Sequence, residues 1–269
     1  MPELPEVEAI CRKLREEISG RKITAARILR PGIVKPRAPE EIESTLAGRT
    51  IRGIERRAKN ILIAMSGGRV LHIHLRMTGN LYVVPDVRFR PTATRAYLEF
   101  ANHRALVFED QRALGRWRVL RDRELAKYLG KLGPEPLSKG FTADWLAAAA
   151  RRSRKAAKLF LMDQTSIAGL GNIYAAEALF RAGIHPSRAM NRLRRRRLDA
   201  LHAAIVHVLE TAVQSACTAY SRPGGFSEAE SFPCFVYDRE GARCFVCGRK
   251  IRRMAQGGRS TYFCPGCQT

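Results

Sequence analysis

The 269-residue chain has no run of about 18 apolar residues, which excludes a conventional membrane-spanning helix. Its first residues carry Glu3, Glu6 and Glu8 and no apolar segment, so no secretory signal is expected. No internal repeat with a period of about 20–50 residues occurs, which sets aside solenoids and propellers. Acids are scarce: 25 Asp+Glu stand against 48 Lys+Arg, for a net charge of +23. Histidine is scarce too. His72, His74 and His103 have no Cys or His near them at metal-ligand spacing, so they read as packed or groove-facing side chains. Three of the seven cysteines, Cys11, Cys217 and Cys234, are scattered. This argues for a reducing cytoplasm and against a disulfide framework.

What is present is an ordinary folded composition, 45% hydrophobic, in a chain long enough for one large domain or two ordinary ones. The positive charge is spread over "RRAK", "RFRPTATR", "RRSRKAAK" and "RLRRRR". Such an excess attracts a polyanion, most simply nucleic acid, and its spread suits a groove lined by several elements. A membrane surface fits less well, because no helix pairs a Lys/Arg face with a free bulky apolar face.

The fold class reads as α+β. Residues 3–19 have the spacing of an amphipathic helix, with Leu4, Val7, Ile10, Leu14 and Ile18 on one stripe and Gly20 as its stop. From 22 to about 120 the chain turns to short strands, which suggests a β-sandwich. In "RVLHIHLRM", Leu71, Ile73 and Leu75 are expected on one face and His72, His74 and Arg76 on the other. The Pro- and Gly-rich 132–140 reads as a boundary. Helical patterns follow, and then a tail rich in glycine, aromatics and cysteine. The expected domains are 1–134, a helix and sandwich; 135–220, a helical domain; and 221–269, a loop and a cysteine-bearing finger. Residues 222–232 read as a mobile loop.

The most specific local motif is Cys244-x2-Cys247 with Cys264-x2-Cys267. Two such pairs offer four thiolates at tetrahedral corners, which suits one structural Zn²⁺ with no open position for catalysis. Arg259 lies between the pairs, where a hairpin tip can reach phosphate. "GLGN" ends at Asn172, expected as the N-cap of a helix whose free N–H groups face an anion. Taken alone, that motif is more often structural than functional. "RLRRRR", 192–197, is expected to open a helix. A solvated face accounts for it as well as direct contact does.

Six segments, "PELPEVE", "RRAKNILI", "HLRMTGNL", "LGPEPL", "MDQTSIAGLGNIYAAEALFRAGIHP" and "CFVCGRKI…STYFCPGCQ", resemble the formamidopyrimidine-DNA glycosylase family in one unbroken order from residue 2 to 269. The resemblance implies a helix on a β-sandwich, a helix–two-turn–helix domain and a zinc-finger hairpin, with DNA held between the halves. It implies a bifunctional DNA glycosylase and abasic-site lyase acting on double-stranded DNA with oxidised or abasic sites. A monomer in the cytoplasm, associated with the nucleoid, is expected.

By the same resemblance, Pro2 is the nucleophile once Met1 is removed, Glu3 the general acid/base and Glu6 a supporting acid. An α-amino group titrates about two units below lysine, so more of it is neutral and nucleophilic. Lys59, Asn172 and Arg259 match phosphate clamps, and Met77, Arg112 and Leu114 the side chains that fill the gap left by the flipped base. The chain departs from the family in two places. "DQRALG" puts Leu114 where a phenylalanine is usual, and the loop over 217–233 is several residues shorter than usual. Two alternatives therefore stay open: a member preferring oxidised pyrimidines, hydantoins or abasic sites, and a damaged-DNA-binding protein with little glycosylase activity.

Overall fold

The computed structural model describes residues 2–220 and 232–269. The chain forms two compact units, Met1–Lys131 with Ala216–Glu228, and Leu132–Ser215 with Ala229–Thr269. The shortened loop and the expected mobile loop fall mainly on residues 221–231, outside the described residues, as does Met1.

The first unit opens with α1 (Leu4–Ile18). Its apolar stripe is fully buried: Val7, Ile10, Leu14 and Ile18 are each 0% exposed. Gly20, just past the helix, has φ +76°, a left-handed turn that glycine adopts without a Cβ penalty. The strands β1 (Ala25–Ile28), β2 (Ile51–Arg57), β3 (Asn60–Met65), β4 (Arg69–His74), β5 (Gly79–Val84), β6 (Thr94–Glu99), β7 (Ala105–Asp110) and β8 (Arg116–Leu120) form two four-stranded antiparallel sheets. Their orders are β1-β6-β7-β5 and β2-β3-β4-β8. α1 joins the sandwich core of Ile61, Ile63, Leu71, Ile73, Leu81, Phe108 and Trp117.

Two helices were not expected from the sequence. α2 (Pro39–Leu46) buries only Ile42 and Leu46, too little to show as a periodic stripe. α3 (Asp122–Leu129) buries none of its residues and is marked chiefly by Glu124, whose carboxylate accepts from the Arg121 N–H at 2.8 Å. The alternation expected in β4 also fails at His72. It is 0% exposed, and its Nε2 lies 2.7 Å from Asn60 Oδ1, so a polar side chain sits in the core by pairing with another.

The second unit contains α4 (Ala143–Arg151), α5 (Ala157–Met162), α6 (Asn172–Arg181), most of α7 (Arg195–Tyr220) and the hairpin β9 (Arg252–Gln256) and β10 (Arg259–Phe263). α7 begins inside the arginine run, as expected. α5 is shorter than its apolar pattern suggests. Asp163 stops it by accepting hydrogen bonds from both the backbone N–H and the hydroxyl of Thr165, at 2.9 and 2.7 Å, a local turn that competes with the helix. The finger packs on α6 through Ala176, Phe180, Val236, Ile251, Cys244 and Cys264.

Candidate DNA-processing site

In the first unit the start of α1 holds two buried acids. Glu3 is 1% exposed and Glu6 0%, in a chain whose net charge is +23. Glu6 Oε2 accepts the Glu3 backbone N–H at 2.7 Å, which fixes Glu3 in an extended conformation and aims the chain end. Pro2 is buried beside them. Glu8, one turn on, does something else. It binds Arg12 and Arg56, each at 2.9 Å, and so ties α1 to β2. Burial opposes its ionised form, yet these guanidiniums hold its carboxyl below the usual range.

Lys59 sits in the β2–β3 turn and is half-buried. The turn is set by Ala58 at φ +55°, by Arg56 Nη1 donating to the Ala58 carbonyl at 3.0 Å, and by Asn60 Nδ2 donating to the Arg57 carbonyl at 2.9 Å. Met77 follows Arg76, which has φ +61°. The Arg76 N–H donates to His74 Nδ1 at 3.1 Å. Burial, and then the Arg76 charge, push the His74 imidazole down to about 3, so it is a neutral acceptor for that bond. Gly79 closes the turn because a Cβ there would lie 2.4 Å from the Leu75 carbonyl oxygen.

One buried carboxylate joins this turn to the next. Asp110, 0% exposed, accepts Thr78 Oγ1 at 2.5 Å and the Arg112 N–H at 3.2 Å on one oxygen, and the Gly115 N–H at 2.8 Å on the other. Arg112 N also donates to Thr78 Oγ1 at 3.2 Å. Between Arg112 and Leu114 stands Ala113 at φ +51°. The Asp110 lattice thus pins two loops whose ends present Met77, 39% exposed, Arg112, and Leu114, 41% exposed. Sequence reasoning missed Thr78 and Asp110. Their signal was an Asp five residues before a glycine, with a turn-forming Thr-Gly in the preceding motif.

Ala58, Arg76 and Ala113 share a feature. Each is a non-glycine residue in the left-handed region, next to a predicted site residue. Such residues cost free energy, of order 1 kcal/mol each, unless their surroundings hold them.

In the second unit, Asn172 is the first residue of α6, and Gly171, not Asn172, occupies the cap position. The expected cap role therefore fails. The Asn172 side chain is instead committed to the finger, with Nδ2 donating to the Ser260 carbonyl at 3.0 Å. Its Oδ1 is buried with no hydrogen-bond partner among the described residues. Gln164 shapes the loop before α6: its Nε2 donates to the Leu170 carbonyl at 2.8 Å and its Oε1 accepts the Gly169 N–H at 2.9 Å. Arg259 opens β10, paired with Gln256 across Gly257 and Gly258, whose φ of +58° and +71° suit a two-residue hairpin turn. The Asn172–Ser260 bond brings Asn172 to the residue beside Arg259.

The Sγ atoms of Cys244, Cys247, Cys264 and Cys267 all lie within 4.8 Å of one another. Cys244–Cys267 is 3.8 Å and Cys247–Cys264 is 3.4 Å. A tetrahedron with Zn–S bonds of about 2.3 Å has edges of about 3.8 Å, so the donor set fits one Zn²⁺ with all positions taken. Gly266 suits the site, since a Cβ there would lie 3.0 Å from Cys247 Sγ. Gln268 locks the finger to the helical part by accepting the Cys264 N–H at 2.8 Å and donating to the Ile184 carbonyl at 2.9 Å.

Comparison with known proteins agrees with this layout. The formamidopyrimidine-DNA glycosylase N-terminal domain matches residues 1–117, the H2TH domain of the same enzymes 132–222, and the zinc finger found in FPG and IleRS 241–269. The chain belongs to the formamidopyrimidine-DNA glycosylase family. A formamidopyrimidine-DNA glycosylase of Xanthomonas campestris is 41% identical over the whole of both chains. One of Chloroflexus aurantiacus is 41% identical over all of this chain and 98% of its own. Among solved structures, the Lactococcus lactis enzyme with abasic-site DNA has a TM-score of 0.90 at 33% identity, covering 100% of each chain. Its complex with Fapy-dG-containing DNA also gives 0.90 at 33%, covering 99% of each. The family fold, a helix and β-sandwich, an H2TH domain and a zinc-finger hairpin, is the one expected from the sequence, as is the single structural zinc.

Proposed function

We propose that the chain is a bifunctional base-excision enzyme, a DNA glycosylase and abasic-site lyase acting on oxidised bases in double-stranded DNA. The observation that carries this reading is the pair of buried acids, Glu3 and Glu6, next to the buried Pro2 at the head of α1 in an otherwise cationic chain. A basic protein gains little by burying carboxylates unless they handle protons or orient a neighbour.

Pro2, as a free secondary amine after Met1 is removed, attacks C1′ of the damaged nucleotide. Glu3 protonates the sugar ring oxygen, so that the ring opens and the base departs. The resulting iminium acidifies the C2′ hydrogen. Its removal expels the 3′ phosphate, which is the lyase step. Glu6 holds the Glu3 backbone for this work. Lys59, Asn172 and Arg259 grip phosphates and carry positioning, not sequence. Met77, Arg112 and Leu114 fill the stack vacated by the flipped base, which offsets an extrusion cost of a few kcal/mol. Zinc organises the finger and takes no chemical part.

The working regions are 1–134, 135–220 and 221–269. The enzyme acts as a monomer in the cytoplasm, at the nucleoid where its substrate lies. No helix of the described residues is long and apolar enough to cross a membrane.

A panel of duplexes, each with one lesion, tests the reading. Excision and strand cleavage at an oxidised purine, pyrimidine or hydantoin are expected. Tight binding across the panel without cleavage would mean a damage-binding protein instead.

A further inference from the structure

Two basic runs far apart in sequence meet in the second unit. The Met190 N–H donates to the Lys155 carbonyl at 3.0 Å, the Asn191 N–H to the Ser153 carbonyl at 3.0 Å and the Ala157 N–H to the Arg188 carbonyl at 2.7 Å. Ala156 and Ala189 form a β-bridge. The backbone thereby joins "RRSRK" to "RLRRRR" in one surface. Arg151, Arg152, Arg154, Arg192, Arg194 and Arg196 are all exposed there.

The nearby acids are already taken. Arg195 holds both Asp144 and Asp199, at 2.6 and 2.7 Å, and Lys155 pairs with Asp163. No ion pair or side-chain hydrogen bond to a described residue engages the six arginines. Six like charges without counter-charges create a strong local positive potential.

This surface continues into the finger. Gly257, at the hairpin tip, packs so closely on Leu159 that a Cβ would lie 2.6 Å from Leu159 Cδ2. Gln256 Nε2 donates to the Pro186 carbonyl at 3.3 Å, and Ser187 Oγ lies 3.7 Å from Met254 Sδ. The strip formed by α5 and residues 186–190 therefore carries the Arg259 hairpin and also meets the joined basic runs.

We propose that these arginines form a phosphate-binding platform for the part of the duplex flanking the lesion, extending the footprint beyond the clamps at Lys59, Asn172 and Arg259. The proposal rests on the DNA reading above. Arginine suits phosphate through its planar fork of donors. An anionic membrane is the poorer partner, because none of the exposed large apolar side chains lies in either run.

The test is the salt dependence of binding to a long duplex with a central abasic analogue. It compares the full-length zinc-loaded protein with a variant carrying Arg152→Gln, Arg194→Gln and Arg196→Gln. Each lost contact flattens the log–log slope by about 0.9, so three should flatten it by about 2–3. Single-turnover excision at saturating enzyme should stay within about two-fold, since no clamp or catalytic residue changes. Lysine at the same three positions should restore the slope, which a folding defect would not allow. Trimming the flanks should weaken the wild type and leave the variant nearly unaffected. An unchanged slope in a protein that still excises overturns the platform alone, whereas failure of the wild type to excise overturns the underlying reading. Tighter retention on phosphatidylglycerol vesicles than on duplex would also overturn it.

Discussion

The two units hold their predicted DNA-facing residues by different means. In the sandwich unit the loops are fixed by buried carboxylates and by left-handed backbone: Glu6 on the Glu3 N–H, Asp110 on Thr78, Arg112 and Gly115, and positive φ at Ala58, Arg76 and Ala113. In the helical unit the hairpin bearing Arg259 depends on four sulfur atoms suited to zinc and on side-chain amides, Asn172 bonded to the Ser260 carbonyl and Gln268 to the Cys264 N–H and the Ile184 carbonyl. The first arrangement draws its rigidity from a large apolar core. The second rests on a finger whose own apolar cluster is small, Ala176, Phe180, Val236, Cys244, Ile251 and Cys264, and relies on coordination bonds. One unit should therefore lose precision when a polar atom is changed, and the other should lose structure when its metal is removed.

The largest effect should come from Glu3→Gln. It keeps the shape of the site and removes the proposed proton carrier, so excision should fall by a factor of about 10³ or more, with duplex affinity held. Near-normal single-turnover excision would take Glu3 out of the chemistry. Cys247→Ala should come next. Loss of zinc should unfold the hairpin and weaken abasic-analogue binding by about 10–100-fold, while the sandwich unit keeps its thermal transition. Equal affinity with the metal gone would erase the contrast between the units.

Asp110→Ala should cost about 1–3 kcal/mol of stability, because it strands the Thr78 hydroxyl and the Arg112 and Gly115 N–H groups. It should also blur discrimination between damaged and intact duplex, without affecting zinc content. A stable variant with intact discrimination would mean that the loops hold themselves.

His72 gives the sandwich a pH signature. Burial, then the Arg118 and Arg76 charges, push its imidazole down to about 4 from an ordinary 6.5. The unfolded chain therefore binds the extra proton first as pH falls. Stability from this site is full above about 6.5 and declines towards about 4, by an amount on the order of 2–3 kcal/mol. Chemical denaturation across that range should show the decline, and His72→Gln should reduce it, leaving the part that the depressed His74 contributes. The smallest change should be Leu114→Phe. It should alter opposite-base preference by only a few-fold, through added stacking. No change at all would place residue 114 outside the stack.

Much of this was legible in the sequence. The apolar stripe of α1 and the strand runs come from periodicities that burial enforces, and the four cysteines from spacing that zinc requires. The rest lies beyond periodicity. α3 is only eight residues long and none of them is buried, so its short Leu125–Tyr128–Leu129 stripe marks no core. Alternation places His72 on the outward face because it is polar, but its bond to Asn60 lets it sit in the core. The position of Asn172 before a helix suggests a cap, whereas its amide serves a strand 88 residues away. Asp110 and Gln164 looked like ordinary loop residues, because their work is to accept or donate across turns that only the folded chain brings together.

The central claim is that Pro2 is the reagent and that the buried acids serve it. Borohydride reduction during reaction with an abasic duplex, followed by peptide mass mapping, tests it directly. A single DNA adduct on the amino-terminal peptide, at the Pro2 nitrogen with Met1 absent, is expected. An adduct on Lys59 or another lysine, or active enzyme that retains Met1, would contradict it.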